Sequence, residues 1–372
     1  MRRVAAAIAA LTAALSAAAS AQGLSLTPAF EQRVVADDNI YFRPVREADV
    51  ITRFSPRLDG MYATPRSLVS GGYSFDAERF SRHPQLSTPL SGQHAELRAR
   101  YDASRRTSIE SAGSFTETQT PAELNEVAAL TPGRARATRA SAQASALYHA
   151  APLNTLHVAY AATVDTLHGG AGQTTYTASA GFEHRASERN GIRLDYVDQR
   201  FASDGVRTIV SRAVTMEWRR NLDPATDLLV RGGPRITGSA LAPDVAASLT
   251  RRLRAGEIGV SYVQTQATLI GLAGVANTGG VSATAAVALR PDVKVRAASG
   301  VLRTSQSGQA ATVYRMTAAC AWTIAPRLTF EAGYDTHVQQ GTLYAGRLAQ
   351  SLLRNVATVT LIIGGAGAAV PR

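Results

Sequence analysis

Cysteine is all but missing from this chain: Cys320 stands alone among 372 residues. A single thiol permits no internal disulfide, no CxxC haem attachment and no cysteine-built metal cluster. Lysine is as scarce, since Lys294 is the only one among 39 basic residues and the rest are arginines. Long apolar runs are also missing after residue 21. None approaches the roughly 20 apolar residues that a spanning helix needs. No HExxH, GxSxG, Walker A or EF-hand pattern occurs. No catalytic residue, cofactor or metal site is therefore expected. Asp37-Asp38-Asn39 lacks the further ligands of a Ca²⁺ loop and reads as a solvated turn. No Pro/Gly-rich linker or composition shift divides the chain into domains. No plug, passenger or POTRA-like segment is recognisable, which disfavours a TonB-dependent receptor, an autotransporter or an assembly machine.

What is present begins with a leader. Arg2 and Arg3 precede an apolar run from Val4 to Ala18, and Ala19-Ser20-Ala21 has the small-x-small pattern of a cleavage site. Cleavage between Ala21 and Gln22 would make 1–21 a signal peptide and place the mature chain outside the cytoplasm. The formal charge of +11 includes the two leader arginines, which leaves about +9 on the mature chain.

Short alternating segments then run to the end of the chain, folded back by small turns. Those turns include Ala63-Thr64-Pro65-Arg66, Ala103-Ser104-Arg105, Leu222-Asp223-Pro224 and Arg290-Pro291-Asp292. Alternate side chains of a strand point to opposite faces. Leu156, Val158, Tyr160, Ala162 and Val164 share one face, while His157, Ala159, Ala161, Thr163 and Asp165 share the other. The first face suits lipid and the second suits water. The pattern predicts an all-β fold: a transmembrane, antiparallel, up-and-down β-barrel of about eighteen strands over 22–363, with sixteen as the alternative because the first hairpin is least regular. Residues 364–372 read as a C-terminal tail. Long polar connections, such as Ser81 to Gly92, Glu117 to Gly133 and Val338 to Ser351, belong to the external side, and the tight turns to the periplasmic side. Tyr101, Tyr148, Trp218 and Trp322 stand just before tight turns on the apolar face and read as an aromatic girdle.

The strand phase also sorts the charges. The basic residues placed on the inner wall are Arg98, Arg100, Arg139, Arg193, Arg207, Arg231, Arg235, Arg252, Arg290, Lys294, Arg296 and Arg315. Acids on the same phase are Glu96, Glu110, Asp165, Glu183, Asp195, Glu257, Glu331 and Asp335. Low-dielectric walls focus a basic excess, so anions are expected inside. Arginine also makes bidentate contacts with carboxylates and phosphates. The competing reading is that these arginines pair with wall acids and brace the barrel. Nucleic acid is not an expected partner, because the arginines are spread over many strands without stacking aromatics.

The N-terminal third carries recognisable motifs. Leu26-Thr27-Pro28 leads to Asp37-Asp38-Asn39-Ile40-Tyr41, Ala48-Asp49-Val50-Ile51-Thr52 and Ser55-Pro56. Pro65-Arg66-Ser67-Leu68, Gly72-Tyr73-Ser74-Phe75-Asp76 and Thr118-Gln119-Thr120-Pro121-Ala122-Glu123-Leu124-Asn125 follow. Over roughly the first 130 residues the chain resembles the outer-membrane family called β-barrel porin 2. Relatives in that family are often linked to exopolysaccharide biosynthesis and export. The resemblance implies the outer membrane of a Gram-negative bacterium, and a porin-like or polysaccharide-export role. It implies lipopolysaccharide, membrane lipid, the barrel-assembly machinery and polysaccharide-export proteins as partners. The expected function is a porin-like conduit for anionic solutes or one tied to exopolysaccharide export. A non-conducting structural barrel of an envelope complex is the second reading. An outer-membrane hydrolase using His83, His168 or His337 with Ser81, Asp165 or Asp335 is the third.

Overall fold

The computed structural model describes residues 23–125, 128–130, 133–344 and 350–364. The leader lies outside these residues, as does the tail apart from Gly364. Nine strands ascend from the turn end of the molecule: β1 (Leu24–Asp37), β3 (Ser67–Phe80), β5 (Thr107–Thr118), β7 (Asn154–Leu167), β9 (Asn190–Ser203), β11 (Thr226–Thr237), β13 (Gly256–Ala267), β15 (Val293–Gln306) and β17 (Leu328–Gly341). Nine return from the loop end: β2 (Asp49–Ala63), β4 (Thr88–Asp102), β6 (Ala137–Ala151), β8 (Gln173–Ser187), β10 (Val206–Asp223), β12 (Ala240–Leu253), β14 (Ala276–Arg290), β16 (Gln309–Ala325) and β18 (Gln350–Gly364).

Every strand pairs antiparallel with its sequence neighbours, and β1 also pairs with β18 from Ala29↔Gly364 to Asp37↔Val356. That last ladder closes the sheet into a barrel of eighteen strands and removes both edges. The first hairpin is regular after all. Its register runs unbroken from Leu24↔Tyr62 to Asp37↔Asp49, which rules out the sixteen-strand alternative.

The tight turns are held by their own side chains. Thr64 Oγ1 accepts from Ser67 N at 2.9 Å, Ser104 Oγ from Arg106 N at 3.1 Å and Asp223 Oδ1 from Ala225 N at 2.7 Å. Five descending strands slip register just before their turn, at His149/Ala151, Arg185/Ser187, Asn221/Asp223, Ala288/Arg290 and Thr323/Ala325. Each slip is a bulge that resets the side-chain phase. The loop end is less uniform than the sequence pattern suggests. Three of its connections are two-residue turns, 204–205, 238–239 and 307–308. In the last, Ser307 and Gly308 both have positive φ, 50° and 80°, the backbone of a primed hairpin turn.

The outward row of the wall stays exposed. Leu97, Val158, Tyr160, Leu194, Met216, Val260 and Met316 each show at least half of their surface. A continuous apolar face of this extent needs a lipid cover. The buried apolar residues lie elsewhere, inside the barrel at its loop end. Ala128, Ala129, Leu130, Leu269 and Leu343 pack there against Ala276, Ala311 and Val313 of the wall. Leu124 and Ile270 pack on Ala137. Ile40 packs on Ile51 and Phe80.

Candidate functional site: a lumen roofed by inward loops

The outward face carries two rows of aromatic side chains. Tyr101, Tyr148 and Trp322 are exposed near the turn end, and Trp218 is half-buried in the same row. Trp322 Nε1 donates to Asp292 in the adjacent turn at 3.1 Å, so its polar edge points toward that end. The second row was missed in the sequence. Tyr73, Tyr160, Tyr196, Tyr262 and Tyr334 are each the seventh residue of an ascending strand, and that repeat was the available signal. The hydroxyls of Tyr73, Tyr262 and Tyr334 donate to Gln93, Gln264 and Asn355 at 3.0, 2.9 and 3.1 Å. All three partners stand two residues nearer the loop end.

Four to six residues separate the two rows in register. Tilted strands climb roughly 2.5 Å per residue, so the rows lie about 10–15 Å apart. Rings reaching about 6 Å beyond each row extend the band to roughly 25 Å, the height of an outer-membrane apolar belt.

The inner wall is a lattice of ion pairs. Arg98 meets Glu96 at 3.5 Å, and Arg100 meets Asp102 at 3.1 Å and Glu110 at 3.6 Å. Arg139 grips Asp165 with both nitrogens, at 2.7 and 2.9 Å. Arg193 and His157 both contact Asp195 at 2.8 Å. Gly181 leaves the space for that trio, since a Cβ there would collide with both His157 and Asp195. Arg231 and Arg235 share Asp244. Arg252 meets Asp227 at 2.8 Å, Arg296 meets Glu331 at 2.7 Å and Arg315 meets Asp335 at 2.9 Å. Lys294 has no ion pair among the described residues.

Two of the expected wall residues stand elsewhere. Arg207 lies beyond the register break between Val206 and Ile209, exposed beside the 204–205 turn. Arg290 follows the Ala288/Arg290 slip and comes to stand opposite Val293, on the outward phase of Trp322. It pairs with Asp292 at 3.1 Å. In both cases a bulge broke the strict alternation that the phase argument assumed.

A dense inner cluster near the loop end was not foreseen. Arg53 contacts Glu78 at 2.6 Å, and Asp76 and Glu123 at 3.8 Å each. Arg134 joins it through Glu78 at 2.7 Å while its guanidinium covers the Phe80 ring at 4.7 Å. Because Glu123 and Arg134 belong to loop 119–136, this cluster ties the loop to β2 and β3. Arg354 closes on Asp37 at 2.6 Å across the β1–β18 seam.

Three loops meet inside the mouth at Asn125, which is buried. Its Oδ1 accepts from Ile270 N at 3.0 Å, and its Nδ2 donates to Leu130 O at 3.0 Å and to the Tyr344 hydroxyl at 3.3 Å. Tyr344 in turn donates to Ile270 O at 2.6 Å. Burial pushes the Tyr344 phenol above its ordinary pKa, so it remains a donor. Loop 268–275 leans across the mouth. Gly271 bridges to Ala171, Gly274 O accepts from Gln173 Nε2 at 2.7 Å and Gly274 N donates to Ser203 Oγ at 3.1 Å. Beneath this roof lies a cavity of about 380 Å³ lined by Leu124, Asn125, Arg139, Thr163, Asp165, Thr175, Gln199, Phe201 and Gln266, among others.

Two of the three histidines considered for hydrolysis, His83 and His337, are engaged otherwise, and the third, His168, is exposed just past the end of β7. His83 rests between Asp49 at 2.8 Å and Glu47 at 3.2 Å. The bond to Asp49, followed by the one to Glu47, raises its pKa above the ordinary histidine value. His337 is buried under the Phe42 ring, 5.0 Å between centroids. Cys320 is exposed on the outward phase with Trp322.

This barrel has solved counterparts. It is similar in fold to the crystal structure of Pseudomonas aeruginosa OpdL, at 12% identity and a TM-score of 0.51, over 92% of this chain and 99% of that one. P. aeruginosa OccK1 (OpdK) gives 9% and 0.51, over 91% and 99%. Acinetobacter baumannii OccAB3 gives 8% and 0.51, over 92% and 99%. At such identities the likeness is one of fold. No protein-family model and no curated protein matches the chain.

Proposed function

We propose that this protein is an outer-membrane, porin-like conduit of a Gram-negative bacterium, with its turn end in the periplasm. The observation that carries the proposal is the polar lumen of a closed barrel, narrowed at one end by inward loops that leave a polar-lined cavity. The similarity in fold to Occ and Opd outer-membrane porins supports the same reading. The finer proposal is a preference for anions, supported by the arginine-rich wall and by Lys294, which has no ion pair among the described residues. The resemblance of the N-terminal motifs to β-barrel porin 2 is the ground for proposing a link to polysaccharide export.

Planar-bilayer recordings test the conduit and its preference together. A folded sample is expected to conduct, and a salt gradient is expected to give a reversal potential of anionic sign. Cation preference would remove the anion proposal, and silence of a folded sample would remove the conduit.

A structural, non-conducting barrel is the second reading, and one observation favours it. Ten of the twelve arginine and lysine residues assigned to the wall from sequence stand in ion pairs, which leaves most of them committed to bracing or to turns. An ion-paired guanidinium still presents free N–H groups to a solute, so pairing alone does not decide against conduction.

A further inference from the structure

At the opposite end from the roof, two neighbouring tight turns enclose a second cavity of about 440 Å³. Arg66, Arg100, Arg105, Arg106 and His149 line it, against one acid, Asp102. Arg100 is already held by Asp102 and Glu110. Arg66, Arg105 and Arg106 have no acidic partner among the described residues. The frame is rigid. Asp102 N donates to Arg66 O at 2.8 Å, which ties the first turn to the end of β4. His149 N donates to Arg106 O at 2.8 Å, which ties the second turn to the end of β6. Arg66, Arg105 and Arg106 converge on one concavity. Arg100 and Asp102 lie on the inward phase of β4, so the concavity opens at the mouth of the lumen.

We infer that this cavity binds a compact oxyanion carrying two or more charges, of the diphosphate, phosphate-ester or polycarboxylate class. Three uncommitted guanidinium groups supply forked donors that match such oxygens. The concave wall, with a single acid, focuses the positive field on one point. The space equals roughly fifteen water molecules at about 30 Å³ each, which admits a ligand larger than diphosphate itself. Membrane phospholipid headgroups carry the same oxyanion chemistry, and the inward opening favours a soluble ligand over them.

Calorimetric titration of the full chain in a neutral maltoside detergent with inorganic pyrophosphate tests this without requiring conduction. Saturable binding is expected, weakened about tenfold or more in the triple variant Arg66→Gln/Arg105→Gln/Arg106→Gln. The control Arg189→Gln/Arg254→Gln, which removes two exposed cations from other turns at the same end, is expected to bind as the parent does. Absence of saturable binding to a folded parent, or equal loss in the triple variant and the control, would overturn the inference. Circular dichroism of each variant verifies that the barrel has formed. Repeating the titration in phosphatidylcholine and phosphatidylglycerol nanodiscs separates the sources. Binding retained in both supports a soluble ligand; binding lost only in phosphatidylglycerol overturns that assignment in favour of a lipid headgroup on the same site. A barrel that proves silent in bilayers would leave this site untouched.

Discussion

Replacing Asn125 with alanine should loosen the roof without opening the barrel. The side chain satisfies Ile270 N–H, Leu130 C=O and the Tyr344 hydroxyl at 3.0, 3.0 and 3.3 Å, all within the packed mouth. Alanine leaves the Ile270 donor and the Leu130 acceptor without partners. Each buried, unpaired group costs about 1–3 kcal/mol, so the closed roof should lose roughly 2–4 kcal/mol relative to an opened one after partial relaxation. At 1.4 kcal/mol per decade that corresponds to about a 30- to 1000-fold rise in the open population. Amide hydrogen exchange reads this directly. Peptides covering 268–275 and 342–344 are expected to exchange faster by that factor, while peptides from β13 and β17 below the mouth keep their protection. Tyr344→Phe, which removes one bond from the same hub, is expected to give a smaller effect. Unchanged exchange over 268–275 in a folded N125A barrel would refute the reasoning, because it would mean that Asn125 does not hold the loops together.

The remaining predictions concern the wall, the roof edge and the girdle. Asp165→Asn breaks the bidentate contact with Arg139 and should lower stability by about 1.5–3 kcal/mol, read as an earlier midpoint in urea unfolding of the lipid-reconstituted barrel. His83 should titrate above about 6.5 by NMR, and Asp49→Asn should bring it back down. The sign follows from the raised folded value: protonated His83 helps hold loop 81–87 below the ordinary histidine pKa, and that contribution is lost as pH rises through the folded value. Trp218 and Trp322, the two tryptophans of the chain, should be quenched more by headgroup-level than by chain-deep lipid quenchers. Stronger deep quenching would contradict the girdle.

Much of the wall was legible in the sequence, because a strand half in lipid and half in water must alternate. The turns read at Ala63-Thr64-Pro65-Arg66, Ala103-Ser104-Arg105, Leu222-Asp223-Pro224 and Arg290-Pro291-Asp292 do part consecutive strands, β2 from β3, β4 from β5, β10 from β11 and β14 from β15. Arg98, Arg139, Arg193 and Arg315 fell on the inward phase for the same reason. Alternation fails where a bulge adds a residue, which is why Arg207 and Arg290 were misplaced. It also says nothing about loops. Leu124, Leu130 and Leu343 sit in connections that read as polar and external, and no periodicity marks them, or Leu269, as a buried cluster. The Arg53–Glu78 cluster was hidden in the first hairpins, whose pattern looked irregular although their pairing is not. The connections thought to run from Ser81 to Gly92 and from Val338 to Ser351 are shorter, because β4 begins earlier, at Thr88, and β17 runs on to Gly341.

The meeting of three loops at Asn125 has a consequence for the order in which the molecule assembles. Its bonds join residues 145 and 219 positions apart. Contacts between such distant points must wait for the chain between them to be arranged. Most ladders join neighbouring strands and can zip progressively, but the roof cannot settle until β6 through β17 stand in a ring. It should be among the last parts to form, alongside the β1–β18 seam. Protection of Ile270 would thus serve as an internal clock for completion of the barrel, rising only when the insertion intermediate has closed.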